Sequence, residues 1–131
     1  MPTPKYLPGL ESGIAQESLT WKIMTPNGVM FVTIVESIDY LKKPIPVEIL
    51  ITIGKSGSAI MAWANMTASL ISLLFKRKTD IEDIIAEISM NLSDHSVLQK
   101  PGVSIRSEPE GIKYALMRYQ EERSKRLEAM K

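Results

Sequence analysis

The sequence contains no cysteine. This absence excludes a disulfide framework, a thiolate nucleophile, a zinc site built from cysteine, and thiol redox or radical chemistry. The single histidine, His95, lies in a polar stretch, and one such residue leaves few routes to a metal site or to acid–base catalysis. We therefore predict a protein that is not an enzyme and has no catalytic residues, no metal and no cofactor.

Charge of one sign is also lacking, since 16 Lys and Arg residues face 15 Asp and Glu residues for a formal charge of +1. The broad positive field of a general nucleic-acid binder is therefore absent, although a local basic patch can still form. Neither a secretory signal pattern nor an apolar run near the about 18 residues that cross a bilayer is visible. The 131 residues, 44% of them hydrophobic, are enough for one domain with a core. We expect a soluble, cytoplasmic protein without a membrane partner.

Period-two patterning predicts three strands in the first half of the chain. Prolines and glycines make residues 1–18 an irregular arm. Strands are then expected over 19–25, 28–36 and 46–53, with a turn at Pro26–Gly28. The middle strand is apolar on both faces, which predicts that both are covered. The fold class that follows is α+β, with an antiparallel sheet of three or more strands followed by three helices packed on it.

The second half of the chain has the period of helices, which we expect over 57–77, 80–92 and 108–125. The first helix carries two adjoining apolar stripes, more than one contact with a sheet requires. It should therefore lie between the sheet and a second layer, either the later helices or another subunit. A homodimer that covers this helix and the second face of the middle strand is the simplest arrangement. Residues 19–120 form the single domain, and residues 121–131 a charged helical tail.

Two helix starts have the spacing of a capping box, in which two side chains satisfy each other's free backbone amides. Thr79 with Glu82 would begin the second helix, and Ser107 with Glu110 would begin the third. The residues between these two helices, 91–104, are polar and are predicted to form a connector without regular structure.

One segment has residues suited to ligand chemistry, the turn between the third strand and the first helix, Gly54-Lys55-Ser56-Gly57-Ser58. The phosphate loop of NTPases is excluded, because that motif needs a glycine where Ile49 stands in a strand. Free amides before a helix, together with Lys55 and the two serines, suit a phosphate, a nucleotide or another small anion. The alternative is structural: the glycines allow a tight turn, and Ser56 or Ser58 caps the helix.

Two further segments are candidates for contact with a partner protein or nucleic acid. The link between the second and third strands, 37–46, is long for a hairpin and contains apolar and basic side chains. The C-terminal tail is the other candidate. The candidate contact residues are Tyr40, Leu41, Lys42, Lys43, Arg123, Lys125 and Arg126. The alternatives are that the loop side chains fold back over the sheet, and that the tail is a solvated helix.

The order of several motifs resembles the TSCPD domain, the C-terminal accessory domain of adenosylcobalamin-dependent ribonucleotide reductases. The strand at Gly28–Ile34 is similar to the family's YITV segment, and Pro46–Ser58 is similar to its P-x-E-[VI]-F-I and [GA]-K-x-G-S motifs. Ser69–Leu74 is similar to AISLAL in the family's long helix, and Glu110–Leu116 is similar to its final helix. The resemblance covers roughly residues 5–120.

Departures from the family limit what the resemblance implies. The reductase barrel and the cysteines that name the domain are missing, so neither ribonucleotide reduction nor a zinc or thiol role carries over. The resemblance implies a stand-alone, non-catalytic copy of the accessory domain, of a kind that phage or bacterial genomes encode. One hypothesis is a binding module that docks on a nucleotide-metabolism enzyme or holds a nucleotide at 54–58. The other is a regulatory interaction protein, for instance a phage inhibitor of a host protein or nucleic-acid transaction, acting through 37–46 and the tail.

Overall fold

The structure is a computed structural model of the chain, and it describes residues 15–55, 57–89, 91 and 96–131. In chain order the elements are β1 Ser18–Thr25, β2 Gly28–Ile38, β3 Pro44–Ile53, α1 Ala59–Lys76, α2 Ile81–Ile88, β4 Val97–Lys100, β5 Val103–Ile105 and α3 Glu108–Ala129. The antiparallel three-stranded sheet and the helices confirm the predicted α+β class, and a two-stranded sheet is added to them. Residues 1–14 of the predicted arm lie outside the described residues, as do Ser56 and His95.

Strands β1, β2 and β3 form an antiparallel sheet in that order, joined by hairpin connections. Trp21 pairs with Val32, and Val32 pairs with Ile51, so alternate residues of all three strands share one face. That face is the core, and its almost fully buried residues are Ile23, Met30, Val32, Ile34, Ile49, Ile51 and Ile53. The alternation predicted for β1 and β3 is therefore confirmed.

The described part of the chain leaves the opposite face of the sheet largely open, so the cover predicted for the second face of β2 does not come from the described helices and stays a prediction. Phe31 on β2 is 43% exposed, and Leu50 on β3 is exposed beside it. Thr20 and Thr33 lie on the same face, where their hydroxyl oxygens are 2.7 Å apart. The apolar pattern of β2 therefore marks a surface that the described part of the chain leaves largely uncovered.

The connection between β2 and β3 is shorter than the sequence predicts. Strand β2 continues to Ile38 and β3 begins at Pro44, so the loop is residues 39–43 rather than 37–46. Prolines at Pro44 and Pro46 are tolerated because β3 lies at an edge of the sheet. The loop has an ordinary length for a hairpin, so length does not mark it as unusual.

Helix α1 packs along β3 through one face. Its buried residues have the helical spacing that the sequence predicts: Ala64, Ala68, Ile71 and Phe75. The Ser72 hydroxyl accepts a hydrogen bond from the Ile49 amide (2.9 Å) and donates one to the Ile49 carbonyl (3.2 Å). The second apolar stripe is exposed in the described part of the chain, so the layer predicted to cover it does not come from the later helices.

By length and composition, α1 meets the threshold for a helix that crosses a membrane, with 18 residues of mean hydropathy 1.3. The prediction that no apolar stretch approaches this length is therefore wrong for residues 59–76. Asparagine, serine and threonine interrupt the apolar run, while the apolar residues between them keep the mean hydropathy high. In this fold the helix lies on β3, and 22% of the stretch is buried.

Helix α2 is shorter than the predicted 80–92 and begins without the predicted capping box. Asp80 occupies the N-cap position, and its side chain makes no capping hydrogen bond. The Thr79 amide donates to the Leu74 carbonyl (3.0 Å), so this residue belongs to the turn that ends α1. Lys78 in the same turn has a positive φ of 60°. Because the connection between the two helices is tight, the N-cap position of α2 is Asp80 and not the predicted Thr79.

A hairpin, β4–β5, begins within the predicted connector 91–104 and ends at Ile105, so the prediction of a connector without regular structure is wrong there. Gly102 lies in its turn with a φ of 85°, a conformation that suits glycine. The side chain of Gln99 on β4 accepts a hydrogen bond from the Met24 amide (2.7 Å) and donates one to the Lys22 carbonyl (3.0 Å). The hairpin therefore closes the outer edge of β1.

Helix α3 begins at the predicted cap. The Ser107 hydroxyl accepts a hydrogen bond from the Glu110 amide (3.1 Å), and Pro109 lies in the first turn, where its missing amide costs nothing. The Glu110 carboxylate binds the amide (2.9 Å) and guanidinium (2.7 Å) of Arg106, so the second half of the capping box is replaced by an ion pair. The hydrogen bonds from Arg106 hold the pKa of Glu110 below its usual range. The helix continues to Ala129, beyond its predicted end.

Candidate functional site

The turn at residues 54–58 connects β3 to α1. Gly54 and Gly57 have φ angles of 67° and 83°, which favour glycine. The Ser58 hydroxyl accepts a hydrogen bond from a backbone amide in the first turn of α1 (3.3 Å). The structural interpretation, a tight turn that caps the helix, is therefore confirmed, and Lys55 is exposed beside it. An anion site at the same turn stays a prediction.

Gly57→Val is expected to lower the free energy of unfolding by about 1–2 kcal/mol, the usual cost of left-handed backbone for a residue with a side chain. Nothing lies within 4 Å of the position that a Cβ would occupy, so the cost is conformational and not a clash. Urea unfolding measures the change. Gly57→Asn is the control, because asparagine tolerates this conformation. A loss as large for asparagine as for valine would contradict the argument.

The loop between β2 and β3 forms a hydrogen-bonded tip at one end of the sheet, and we call residues 38–43 the tip. Asp39 organises it, because one carboxylate oxygen accepts hydrogen bonds from the Leu41 amide (2.8 Å) and the Lys43 amide (2.9 Å). Two backbone hydrogen bonds close the same turn. Tyr40 is 88% exposed, and Leu41 is exposed beside it. The prediction that these side chains fold back over the sheet is therefore wrong for both.

A cleft of about 700 Å³ lies beside the tip, between the sheet, the α1–α2 turn and α3. Its walls carry both signs of charge. The basic residues are Lys78 and Arg123, and the acidic residues are Asp39, Asp80 and Glu82. Such walls favour neither an anion nor a cation, so the cleft does not by itself define a ligand. It does bring the tip and α3, which are far apart in the sequence, to one surface.

A buried carboxylate, Glu36, ties the base of the tip to α3. Its side chain is 2% exposed and accepts hydrogen bonds from the Tyr119 hydroxyl (2.6 Å) and from both terminal nitrogens of Arg126 (2.7 and 2.6 Å). Arg123 of α3 donates through Nε to the carbonyl of Pro44, which lies on the neighbouring strand β3 (2.7 Å). Both strands that carry the tip are therefore held by the last turns of α3.

The electrostatics of this cluster keep the phenol of Tyr119 neutral and the guanidinium of Arg126 charged. Burial, and then the Glu36 carboxylate, raise the pKa of Tyr119 far above its usual range. The hydrogen bonds to Glu36 raise the pKa of Arg126. Arg126 Nε is buried with no hydrogen-bond partner in the described part of the chain. The hydrogen bonds of the guanidinium therefore come from its two terminal nitrogens, and both go to the Glu36 carboxylate. Tyr119 therefore stays a donor and Arg126 stays a cation at physiological pH.

Glu36 is not among the functional residues predicted from the sequence. One signal was available: Glu36 lies in an apolar strand, and a buried carboxylate needs a counter-charge. The sequence does not say which cation supplies it, because the pair spans 90 positions. The predicted contact residues Arg123 and Arg126 both bind partners within the chain, whereas Lys125 is exposed. Contact of any of the three with another molecule stays a prediction.

The fold and these surfaces define a small α+β domain with an exposed tip, a cleft and an open sheet face. Across the described residues, no group of acidic or histidine side chains is placed to hold a metal ion. A family model of the TSCPD domain matches residues 5–120, and the chain therefore belongs to the TSCPD domain family. The match relates it to the accessory domain of ribonucleotide reductases, which is not catalytic by itself. No curated protein and no solved structure matches the chain.

The family match confirms the resemblance found in the sequence and covers most of the chain. It includes the turn at 54–58, the tip and Glu36, but it ends before Arg123 and Arg126. The two arginines that hold the tip to α3 therefore lie beyond the matched residues.

Proposed function

We propose that the protein is a non-catalytic docking module that binds a protein partner through the tip and the adjoining surface of α3. The observation that carries this proposal is the exposure of Tyr40 and Leu41 on a loop whose backbone is tied by Asp39. A preformed loop loses little entropy on binding, and tyrosine is among the residues that contribute most to interface energies. The tip therefore has the properties of an interface anchor.

The surroundings of the tip support a protein partner better than a small molecule. Lys42 and Lys43 are exposed on the tip itself, and Lys125 is exposed on the adjoining turns of α3. Apolar anchors bordered by charged residues are the usual anatomy of a protein interface. We expect the partner to present an apolar socket with acidic side chains at its border.

Membership of the TSCPD family supports a ribonucleotide reductase, or another enzyme of nucleotide metabolism, as that partner. The regulatory alternative uses the same tip but another target, such as a protein that the module inhibits. Both versions require Tyr40 and Leu41 at the contact, and they differ in which purified protein binds.

Replacing Tyr40 and Leu41 together by alanine is expected to weaken binding to the ribonucleotide reductase of the same genome by about 30-fold, as loss of an anchor worth about 2 kcal/mol implies. Isothermal titration of the purified proteins measures the affinity. Leu98→Ala is the control, because Leu98 is an exposed leucine on β4, away from the tip, and its replacement should leave the affinity unchanged.

Equal affinity of the double variant and the unaltered protein would overturn the proposed surface. If the reductase does not bind at all, and another purified protein binds in a way that the double variant abolishes, the regulatory alternative is the correct one. Circular dichroism of each variant verifies that its fold is intact.

A nucleotide or other anion at residues 54–58 is the second candidate function. Lys55 is exposed beside the N-terminus of α1, whose first turn contains no acidic residue to repel an anion. Thermal-shift titration with millimolar nucleotide tests this site, because a ligand stabilises the folded state by RT ln(1+[L]/Kd). A shift that Lys55→Ala abolishes favours the nucleotide. The lack of any shift excludes a site of millimolar or tighter affinity.

A further inference from the structure

The side of α1 opposite its buried residues is apolar and exposed. Residues 59–75 contain no charged side chain. In the described part of the chain, the exposed large residues of this side are Trp63, Met66, Leu70, Leu73 and Leu74. Exposed faces of helices in globular proteins normally carry charged residues, so this face has the character of a contact surface.

Four of these residues have the spacing of a contact line between two paired helices. They follow one another at intervals of three, four and three positions, and we call them the seam: Trp63, Met66, Leu70 and Leu73. This spacing keeps side chains in line with a partner helix and lets the two sets interlock. The seam is short for a free coiled coil, but α1 is already held as a helix by its packing on β3. Pairing therefore does not have to order the helix.

The exposed apolar surface is large enough for a dimer of modest affinity. Its five large side chains are between 38% and 66% exposed, and with about 200 Å² for a whole large side chain they present on the order of 500 Å² to solvent. Two such surfaces in contact bury on the order of 1,000 Å², which is the lower end of specific protein interfaces. We therefore expect a dissociation constant in the micromolar range.

We propose that a second copy of the chain covers this face, with the two α1 helices antiparallel and the two seams in contact. A two-fold axis at the level midway between Met66 and Leu70 places Met66 of each copy beside Leu70 of the other. Trp63 of each copy then lies beside Leu73 of the other. The two sheets lie on the outer sides of the helix pair, so the packing of α1 on β3 is unchanged.

Charge and size favour the antiparallel arrangement over the parallel one. The end of α1 is basic, with Lys76, Arg77 and Lys78 in succession. Parallel helices would bring two such ends together and would place Trp63, the bulkiest residue of the seam, against itself. The antiparallel arrangement separates the basic ends and places Arg77 opposite the small Ala59. It also aligns the two helix dipoles in opposite directions.

The residues that flank the seam favour a second copy over a different occupant. They are all uncharged: Ala62, Thr67, Ser69 and Leu74. In paired helices, charges at the flanking positions select the partner, and a helix that lies on a membrane normally borders its apolar face with lysine and arginine. Neither kind of border is present along this face. Identical faces without charge meet without repulsion, which is what contact across a two-fold axis requires.

Sedimentation equilibrium tests the contact. The unaltered protein is expected to dimerise in the micromolar range. Leu70→Glu is expected to raise the dissociation constant by about 100-fold, because two carboxylates then lie in one apolar contact. Leu98→Glu is the matched control, since Leu70 and Leu98 are 55% and 61% exposed, and it should dimerise like the unaltered protein. Circular dichroism verifies the fold of each variant.

Three results of this measurement would overturn the proposal. The first is a strict monomer of the unaltered protein at several hundred micromolar. The second is an unchanged dissociation constant for Leu70→Glu, which would place the dimer contact on another face. The third is an equal loss of affinity for Leu70→Glu and Leu98→Glu.

Mixtures of charged variants test the direction of the helices. Trp63→Glu and Leu73→Lys should each dimerise weakly alone, and an equal mixture should form a heterodimer, because the antiparallel axis places the carboxylate beside the ammonium group. In parallel helices these groups would be ten residues, about 15 Å, apart along the axis. The control mixture is Trp63→Glu with Trp63→Lys, which would recover the dimer only if the helices were parallel. Recovery in the control mixture alone, or in neither mixture, overturns the proposed axis.

Flotation tests the competing occupant, a membrane surface. The unaltered protein should not float with vesicles of phosphatidylcholine and phosphatidylglycerol, and flotation that Leu70→Glu abolishes would overturn the proposal. The dimer contact is separate from the tip, so replacing Tyr40 and Leu41 by alanine should leave the dissociation constant of the dimer unchanged. Failure of the dimer and failure of the docking function are therefore distinguishable.

Discussion

Arg126→Met is expected to lower the free energy of unfolding by about 3 kcal/mol, because it leaves the buried Glu36 carboxylate without its counter-charge. Breaking a buried ion pair costs about 3–5 kcal/mol, and the lower end applies because the Arg126 side chain is 38% exposed. The Tyr119 hydroxyl still donates to the carboxylate but does not neutralise it. Urea denaturation followed by circular dichroism measures the change.

Arg118→Met is the matched control for this variant. Arg118 lies on the same helix and binds Glu121 at 3.1 Å, but both side chains are largely exposed. Exposed ion pairs contribute about 0–1 kcal/mol, so the control should lose little stability. Similar losses for the two variants would show that the Glu36 cluster does not hold α3 to the sheet.

Gly111→Leu is the second substitution with a large expected effect, a loss of about 2–3 kcal/mol from overpacking. A Cβ at this position would lie 2.8 Å from the Met30 methyl and 3.0 Å from a methyl of Ile23, both in the core. The first turns of α3 approach the sheet this closely because Gly111 has no side chain. A leucine would push the helix away from β1 and β2, and thermal or urea unfolding would record the loss.

Two further substitutions separate the clash from other effects. Gly111→Ala adds the same Cβ but gains about 1 kcal/mol of helix propensity over glycine, so its loss should be clearly smaller than that of leucine. Glu122→Leu places a leucine at an exposed position of the same helix, where the change should stay within about 0.5 kcal/mol. Unchanged stability of Gly111→Leu would contradict the close approach of α3 to the sheet.

Features made by residues close together in the chain were predictable from the sequence. Ser107 caps α3 through an amide three positions away, and Gly54 and Gly57 form the turn before α1. The prediction that Thr79 caps α2 was wrong because the Thr79 amide bonds to the Leu74 carbonyl in the turn that ends α1. Two neighbouring helices thus compete for one residue. The β4–β5 hairpin was missed because its strands are too short for alternation to stand out from a polar segment.

The sequence by itself determined strands β1–β3, the long helix and the turn between them, because hydrophobic period, glycine and caps act over a few residues, and it determined the membership of the TSCPD family. Only the tertiary structure decided that Arg126 pairs with Glu36, 90 positions away, and that the Gln99 side chain binds the backbone at the outer edge of β1. Any of the 16 lysines and arginines can supply a positive charge to a carboxylate. The choice among them depends on which side chains the packed sheet and helices bring within hydrogen-bond distance, and no local pattern encodes that distance.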